Sequence, residues 1–300
     1  MTTKQHREIY NKNLLHPWGD LSELGNDESS SVIVKGKGIH IFDSDGNKMI
    51  DGPAGMWCMQ TGYGRKEIAD AVSKQILSLS YATSFTLIND KETELAKRIS
   101  EQTPGDLNRI YFTTGGSTAV DSALRLCQLA NNIKGARNKK QIITREKAYH
   151  GSTYLSASVT GKERDKTAMD IKREGIHFLK APCHFYYPEF DNEDDFCDFL
   201  INELEEKIIE IGPENIMAFI AEPILASGGV IVPPKNYNYR CWEVVKRYNI
   251  IYIADEVVTA FGRLGYWFAS EHVFGIIPDI IICLLYTSDS ADERRSVDLG

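Results

Sequence analysis

None of the six cysteines (Cys58, Cys127, Cys183, Cys197, Cys241, Cys283) stands at C-x-x-C spacing from another. The opening MTTKQHREIYNKNLLHPWGD lacks the apolar h-region of a secretory signal. Together these absences fit a reducing, cytoplasmic setting. No apolar run is long enough to span a bilayer: VFGIIPDIIICLLY, from Val273, is broken by Pro278 and Asp279 and falls short of the roughly 20 residues a membrane helix needs. Basic charge is also scarce, with 34 Lys and Arg against 42 Asp and Glu, a formal net charge of -8. With no basic stripe interleaved with aromatics, nucleic acid is excluded as a partner. There is no G-x-x-x-x-G-K-[ST]; the nearest approach is Gly161-Lys162-Glu163, which lacks the leading glycine at the right spacing and the hydroxyl that should follow. Internal repeats and low-complexity linkers are absent too.

What remains, over 300 residues, is an alternation of strand and helix signals. SVIVKGKGIHIFDSDGNKMIDG (31–52) joins short β-branched runs through Lys-Gly and Asp-Gly turns and predicts a small antiparallel meander. RKEIADAVSKQILSL (65–79) and KETELAKRISEQ (91–102) carry apolar residues at helical spacing. Beyond them, NRIYFTT (108–114), KQIITRE (140–146), IMAFIAEPI (216–224), IIYIADEVV from Ile250 and DIIIC from Asp279 read as strands. GGSTAVDSALRLCQLA (115–130) and NYRCWEVVKRY (238–248) read as helices, and DNEDDFCDFLINELEEKIIEIG (191–212) as an acidic amphipathic helix with a solvated face. This order predicts an α/β fold with a mainly parallel sheet covered by helices on both faces.

In such sheets ligands sit at the carboxyl ends of strands. Gly115-Gly116-Ser117 opens a helix after one expected strand, an arrangement suited to phosphate, although an ordinary turn capped by Ser117 or Thr118 has the same sequence. Tyr149-His150-Gly151 follows a second strand, Glu222-Pro223 a third, and Asp255-Glu256 a fourth. A carboxylate at the end of a greasy strand costs several kcal/mol unless something compensates it. Two chemistries could use it. A nucleotide-hydrolysing α/β protein would hold Mg²⁺ with Asp255-Glu256, but needs the phosphate loop that is missing. A pyridoxal phosphate enzyme would offer a phosphate to the glycine turn, a ring to Tyr149 and a pyridine nitrogen to Asp255.

DGPAGMWCMQTGYGR (51–65), YFTTGGSTAVDSALRL, AYHGSTYLSASVTGK, AEPI and IADEVVTAFGRLGYWF, in this order, resemble the class III aminotransferases. These have the aspartate aminotransferase-like fold, fold type I of the PLP-dependent transferases. The nearest group moves an amino group from ω-amines, β-amino or ω-amino acids to pyruvate or a similar oxo acid. The resemblance covers roughly residues 10–282 and implies a ping-pong cycle on pyridoxal 5'-phosphate, a homodimer in the full-length protein, and small-molecule donor and acceptor partners. It implies phosphate held by Gly115, Gly116 and Ser117, stacking by Tyr149, the pyridine nitrogen on Asp255, Val257 on the opposite ring face, Glu222 beside the cofactor and Trp57 lining the substrate pocket. At 117–119 the chain has Ser-Thr-Ala where many members have Ser-Glu-Ala. The implied domains are an N-terminal segment with the meander (1–59) and a large cofactor-binding domain (60–282), incomplete at the C-terminus.

One required group is missing. The family's Schiff-base lysine follows the strand that begins Pro-Asp-Ile-Ile; here Pro278-Asp279-Ile280-Ile281 is present, but no lysine occurs after Lys246. The chain is therefore expected to be inactive, and a non-catalytic PLP-binding protein is the alternative. The last stretch, CLLYTSDSADERRSVDLG (283–300), resembles translated DNA of a common transposon-based sequencing adapter, so the natural gene is expected to continue differently from that point.

Overall fold

The computed structural model describes residues 1–15, 25–26, 28–83, 85–167 and 169–284. Of the stretch 283–300, only Cys283 and Leu284 are among the described residues. Packing divides the chain into two compact units, which meet in sequence at Glu92 and Thr93.

The first unit opens with α1 (Thr3–Asn13), whose start is a capping box. The Thr2 hydroxyl accepts from the Gln5 N–H, and the Gln5 side chain accepts from the Thr2 N–H. The expected meander forms as β1 (Ile33–Lys37), β2 (His40–Asp43) and β3 (Lys48–Ile50), all antiparallel. Its turns use Gly38 (φ 58°) and Gly46 (φ 88°). Next comes a single turn, α2 (Ala54–Trp57), whose four residues all have positive φ: 50°, 60°, 56° and 69°. It is a left-handed turn, which costs roughly 1–2 kcal/mol for each non-glycine residue. Asp51 offsets that cost: its Oδ2 accepts from the Gly55 N–H at 2.8 Å and from the Tyr63 hydroxyl at 2.6 Å. Helix α3 (Lys66–Ser78) falls where the periodicity places it, as does α4 (Asp90–Ser100), most of which belongs to the second unit.

In the second unit a five-stranded parallel sheet runs in the order β5-β4-β6-β7-β8. Its strands are β4 (Gln141–Arg145), β5 (Ile176–Leu179), β6 (Ile216–Ala221), β7 (Ile251–Asp255) and β8 (Ile280–Ile282). Every residue of β6 is buried, as a central parallel strand requires. Val120, Leu124 and Cys127 of α5 (Gly116–Ile133) pack on one face of the sheet, against Ile142, Met217, Ile220 and Ile253. The other face carries α7 (Glu193–Ile211) and α8 (Tyr237–Arg247), packed through Leu200, Leu204, Ile208, Cys241 and Val244 onto Ile143, Phe219 and Tyr252. The acids of α7 thus face outward while its apolar side is one of the two covers. The short helices α6 (Tyr154–Val159) and α9 (Ala269–His272) follow the loops after β4 and β7.

One expected strand does not form. Residues 108–113 of NRIYFTT have no ladder among the described residues; β8 ends the sheet on that side without a neighbour. A strand needs a neighbour for its N–H and C=O groups, which a β-rich sequence cannot supply by itself. Ile110 instead packs into a small cluster with Ile99, Ala260 and Phe268.

Candidate active site

Because the sheet is parallel, Arg145, Ala221 and Asp255 end their strands on one side, and the loops that follow carry Tyr149, His150, Glu222 and Val257. The sequence-predicted residues of the second unit meet there. Gly115 and Gly116 are buried, Gly115 in extended backbone (φ -176°) as the residue before α5. Ser117 is buried, and its Oγ accepts from the Ser152 N–H at 3.0 Å. This bond seats the loop after Tyr149-His150 against the start of α5. Gly151 makes the approach possible: its φ is 128°, and a Cβ there would strike Ser117 Oγ, Ser156 Oγ and Ser117 Cα. Asp121, one turn into α5, accepts from the Ser156 N–H at 2.7 Å and fixes the other end of the same loop.

Asp255 is only 4% exposed. Its Oδ1 accepts from the Val257 N–H at 3.2 Å, and its Oδ2 lies 2.7 Å from His150 Nδ1. His150 is also buried, and its Nε2 has no hydrogen-bond partner among the described residues. In the sequence His150 reads only as one member of Tyr-His-Gly, because a single histidine carries no signal of what it faces.

Glu222, just beyond β6, is buried and uses both carboxyl oxygens: Oε1 accepts from the Tyr149 N–H at 2.8 Å and Oε2 from the Ala226 N–H at 3.1 Å. Burial raises its pKa to about 7; His150, the Tyr149 N–H and Arg145 pull it down, while Asp255 pushes it further up. Tyr149 is half-buried, with the Lys162 ammonium 5.5 Å from its ring centroid. Val257 is half-buried against the α5 side of the sheet.

Glu256 has a different use. Its carboxylate accepts from the Ala269 N–H at 2.7 Å, the Ser270 N–H at 2.9 Å and the Ser270 and Thr259 hydroxyls, so it is committed to anchoring α9. Among the described residues no cluster of side chains suited to a metal ion occurs. Trp57 belongs to the first unit, half-buried at the end of the left-handed turn. A cavity of about 200 Å³ in that unit is lined by Gly38, Asp51, Gln60 and Tyr63, none of them a predicted site residue.

The residues present fit pyridoxal phosphate. A glycine turn opens an 18-residue helix, with the Gly115 N–H held by the Thr118 hydroxyl at 3.0 Å, and the N-terminal end of a helix is suited to a phosphate. The Gly151 crossing is one that any side chain would fill. Among the described residues no lysine or arginine meets the Asp255 carboxylate, leaving it available to a cationic ring nitrogen.

Comparison with known proteins agrees. The aminotransferase class-III family profile matches residues 22–284. Putrescine–pyruvate aminotransferase of Pseudomonas aeruginosa is 38% identical over 282 residues, a match that covers 93% of this chain and 61% of that protein. An (S)-enantioselective omega-transaminase from Thermomicrobium roseum superposes with a TM-score of 0.90 at 34% identity, covering 94% of this chain and 62% of its own. The omega transaminase from Pseudomonas jessenii, solved in complex with PMP, gives 0.90 at 34% identity, with 93% and 62% covered. The chain therefore spans about three-fifths of the length of these relatives. It belongs to the class-III aminotransferases, whose cofactor is pyridoxal 5'-phosphate and whose fold is that of the PLP-dependent transaminases.

Proposed function

We propose that the protein from which this chain derives moves an amino group from an amine, β-amino or ω-amino acid to an oxo acid such as pyruvate, in two half-reactions on pyridoxal phosphate. The observation that carries the reading is the buried Asp255, backed by His150 and unmatched by any lysine or arginine among the described residues. The names of the relatives support the substrate class, since one acts on putrescine and pyruvate and another is a diaminobutyrate–2-oxoglutarate transaminase.

When bound, the cofactor supplies a carbon that takes up the amino group and a ring that delocalises the electron pair left on the substrate carbon. The chain's own residues bind and orient. Gly115, Gly116 and Ser117 would hold the phosphate through N–H groups and a hydroxyl. Asp255 would keep a proton on the ring nitrogen, and His150 fixes the Asp255 carboxylate from behind. Tyr149 and Val257 would bracket the ring, Glu222 holds the Tyr149 main chain, and Trp57 would face the substrate. The second subunit of a homodimer and a cytoplasmic location belong to the same proposal.

We also propose that residues 283–300 are foreign. The family match ends at residue 284, beside the Pro-Asp-Ile-Ile strand after which the lysine is expected. Without that lysine no group of the expected kind moves the substrate proton, and the chain as written binds cofactor but does not turn over. The absent lysine also favours a second reading, a PLP-binding protein that performs no transamination. The coding sequence beyond Ile282, recovered from source DNA, decides between them. The first reading predicts a lysine soon after that strand, and a completed protein that makes alanine from pyruvate and an amine with a borohydride-sensitive visible absorbance. Finding these eighteen codons followed by a genuine stop would overturn it in favour of the second.

A further inference from the structure

Arg145 is the last residue of β4, where a charged side chain would ordinarily reach water. It is fully buried instead, on the sheet face where Tyr237, Cys241 and Tyr252 pack, with its guanidinium carbon 5.9 Å from the centroid of the Tyr237 ring. Nη2 donates to the main-chain carbonyl of Glu222, while Nε and Nη1 have no hydrogen-bond partner among the described residues. None of its nitrogens therefore bonds a carboxylate. Burying a cation without a salt bridge is costly, and a leucine or methionine would fill the same space at less expense.

The residue that Arg145 bonds is Glu222. Its carboxyl is buried and holds two main-chain N–H groups, those of Tyr149 and Ala226. Both bonds require an acceptor, so a proton on either oxygen would weaken one of them. The charged and titratable groups acting on this carboxyl are His150 and Arg145, which favour the ionised form, and Asp255, which opposes it. Of the two that favour ionisation, only the arginine keeps its charge at every working pH. Tyr237, Cys241 and Tyr252 surround Arg145 itself, all three with burial holding their protons on.

We infer that Arg145 is a positioning residue: from behind the site it clamps the Glu222 main chain and supplies the permanent buried cation against which the Glu222 carboxylate holds the Tyr149 backbone. The inference rests on the proposed cofactor reading only in the use made of Tyr149 as a ring platform.

The test follows Glu222 directly in the cofactor-free 300-residue chain, by the infrared band of its protonated carboxyl, assigned through its loss in E222Q. R145Q keeps a donor but loses the charge, and should raise the Glu222 midpoint by about one pH unit. R145K keeps the charge and should leave the midpoint near the wild-type value. Fluorescence titration with pyridoxal phosphate should show R145Q weakened about fivefold at neutral pH, with affinity recovering at alkaline pH where Glu222 ionises regardless. A wild-type midpoint in R145Q, or an R145K midpoint as high as that of R145Q, overturns the inference. Should R145Q fail to fold, the R145Q/E222Q double variant is predicted to fold, because the carboxylate that needs the cation is gone; an unfolded double variant would overturn it as well. If the wild-type chain bound no pyridoxal phosphate at all, the cofactor reading would fail while the infrared result stood.

Discussion

His150 Nδ1 lies 2.7 Å from Asp255 Oδ2, joining the loop after β4 to the end of β7 in a buried contact between residues 105 apart in sequence. It leaves Asp255 oriented, with one oxygen toward the histidine and the other toward the Val257 N–H. A hydrogen bond to a charged group contributes about 1.5–3 kcal/mol.

Replacing His150 by Phe should therefore lower pyridoxal phosphate affinity by one to two orders of magnitude. H150N, which retains a donor, should recover part of that loss. Equilibrium titration of intrinsic fluorescence measures both, and H150F binding as well as wild type would dismiss the histidine from the site.

The burial of Glu222 predicts a pH signature in stability. Its folded pKa of about 7 is above the ordinary 4.5, so between those values the native state holds a proton that the unfolded state has released. The contribution of this group is fully present below the unfolded pKa and is lost as pH rises through the folded one, by an amount on the order of 3 kcal/mol. E222Q should flatten this part of the profile, so that the difference between variant and wild type changes from pH 4.5 to 7. Urea unfolding at several pH values provides the check, and parallel profiles would contradict the assignment.

Gly151→Ala should destabilise the second unit by about 1–3 kcal/mol and weaken cofactor binding together. Its φ of 128° is strained for any L side chain, and the new methyl would push Ser117 and Ser156 apart. Denaturant midpoints and cofactor titration on the same protein should both move.

Asp51→Ala removes the acceptor shared by the Gly55 N–H and the Tyr63 hydroxyl. The left-handed turn that carries Trp57 then loses its tether, at a cost of about 1–3 kcal/mol. Near-ultraviolet circular dichroism and thermal unfolding should report a loosened tryptophan environment; an unchanged spectrum and midpoint would show that the turn is held by something else.

Where the sequence carried its own periodicity, reading it sufficed: Ile216–Ala221 and Ile251–Asp255 are apolar runs that only a doubly covered parallel strand would bury, and both form as expected. Asp255, Tyr149, Glu222 and the Gly115–Ser117 turn can be named as site candidates from the sequence because each lies at the edge of an expected element. What was not legible depends on partners distant in sequence. NRIYFTT has strand composition but no neighbour to pair with, whereas Ile176–Leu179, only four residues long, becomes a strand because β4 lies beside it. Arg145 looks like a polar strand terminus and is instead fully buried; His150 looks incidental until Asp255 is placed against it.

The pairing of Asp255 with the cofactor ring is tested most directly by the affinity of pyridoxal 5'-phosphate for the wild-type chain and for D255N, read by fluorescence with inorganic phosphate as competitor. Phosphate should displace the cofactor from the wild-type chain at the glycine turn, and affinity should fall at least about tenfold in D255N, where the ring nitrogen meets a neutral amide. Equal affinity of the two proteins, or wild-type binding indifferent to phosphate, would contradict this placement of the cofactor.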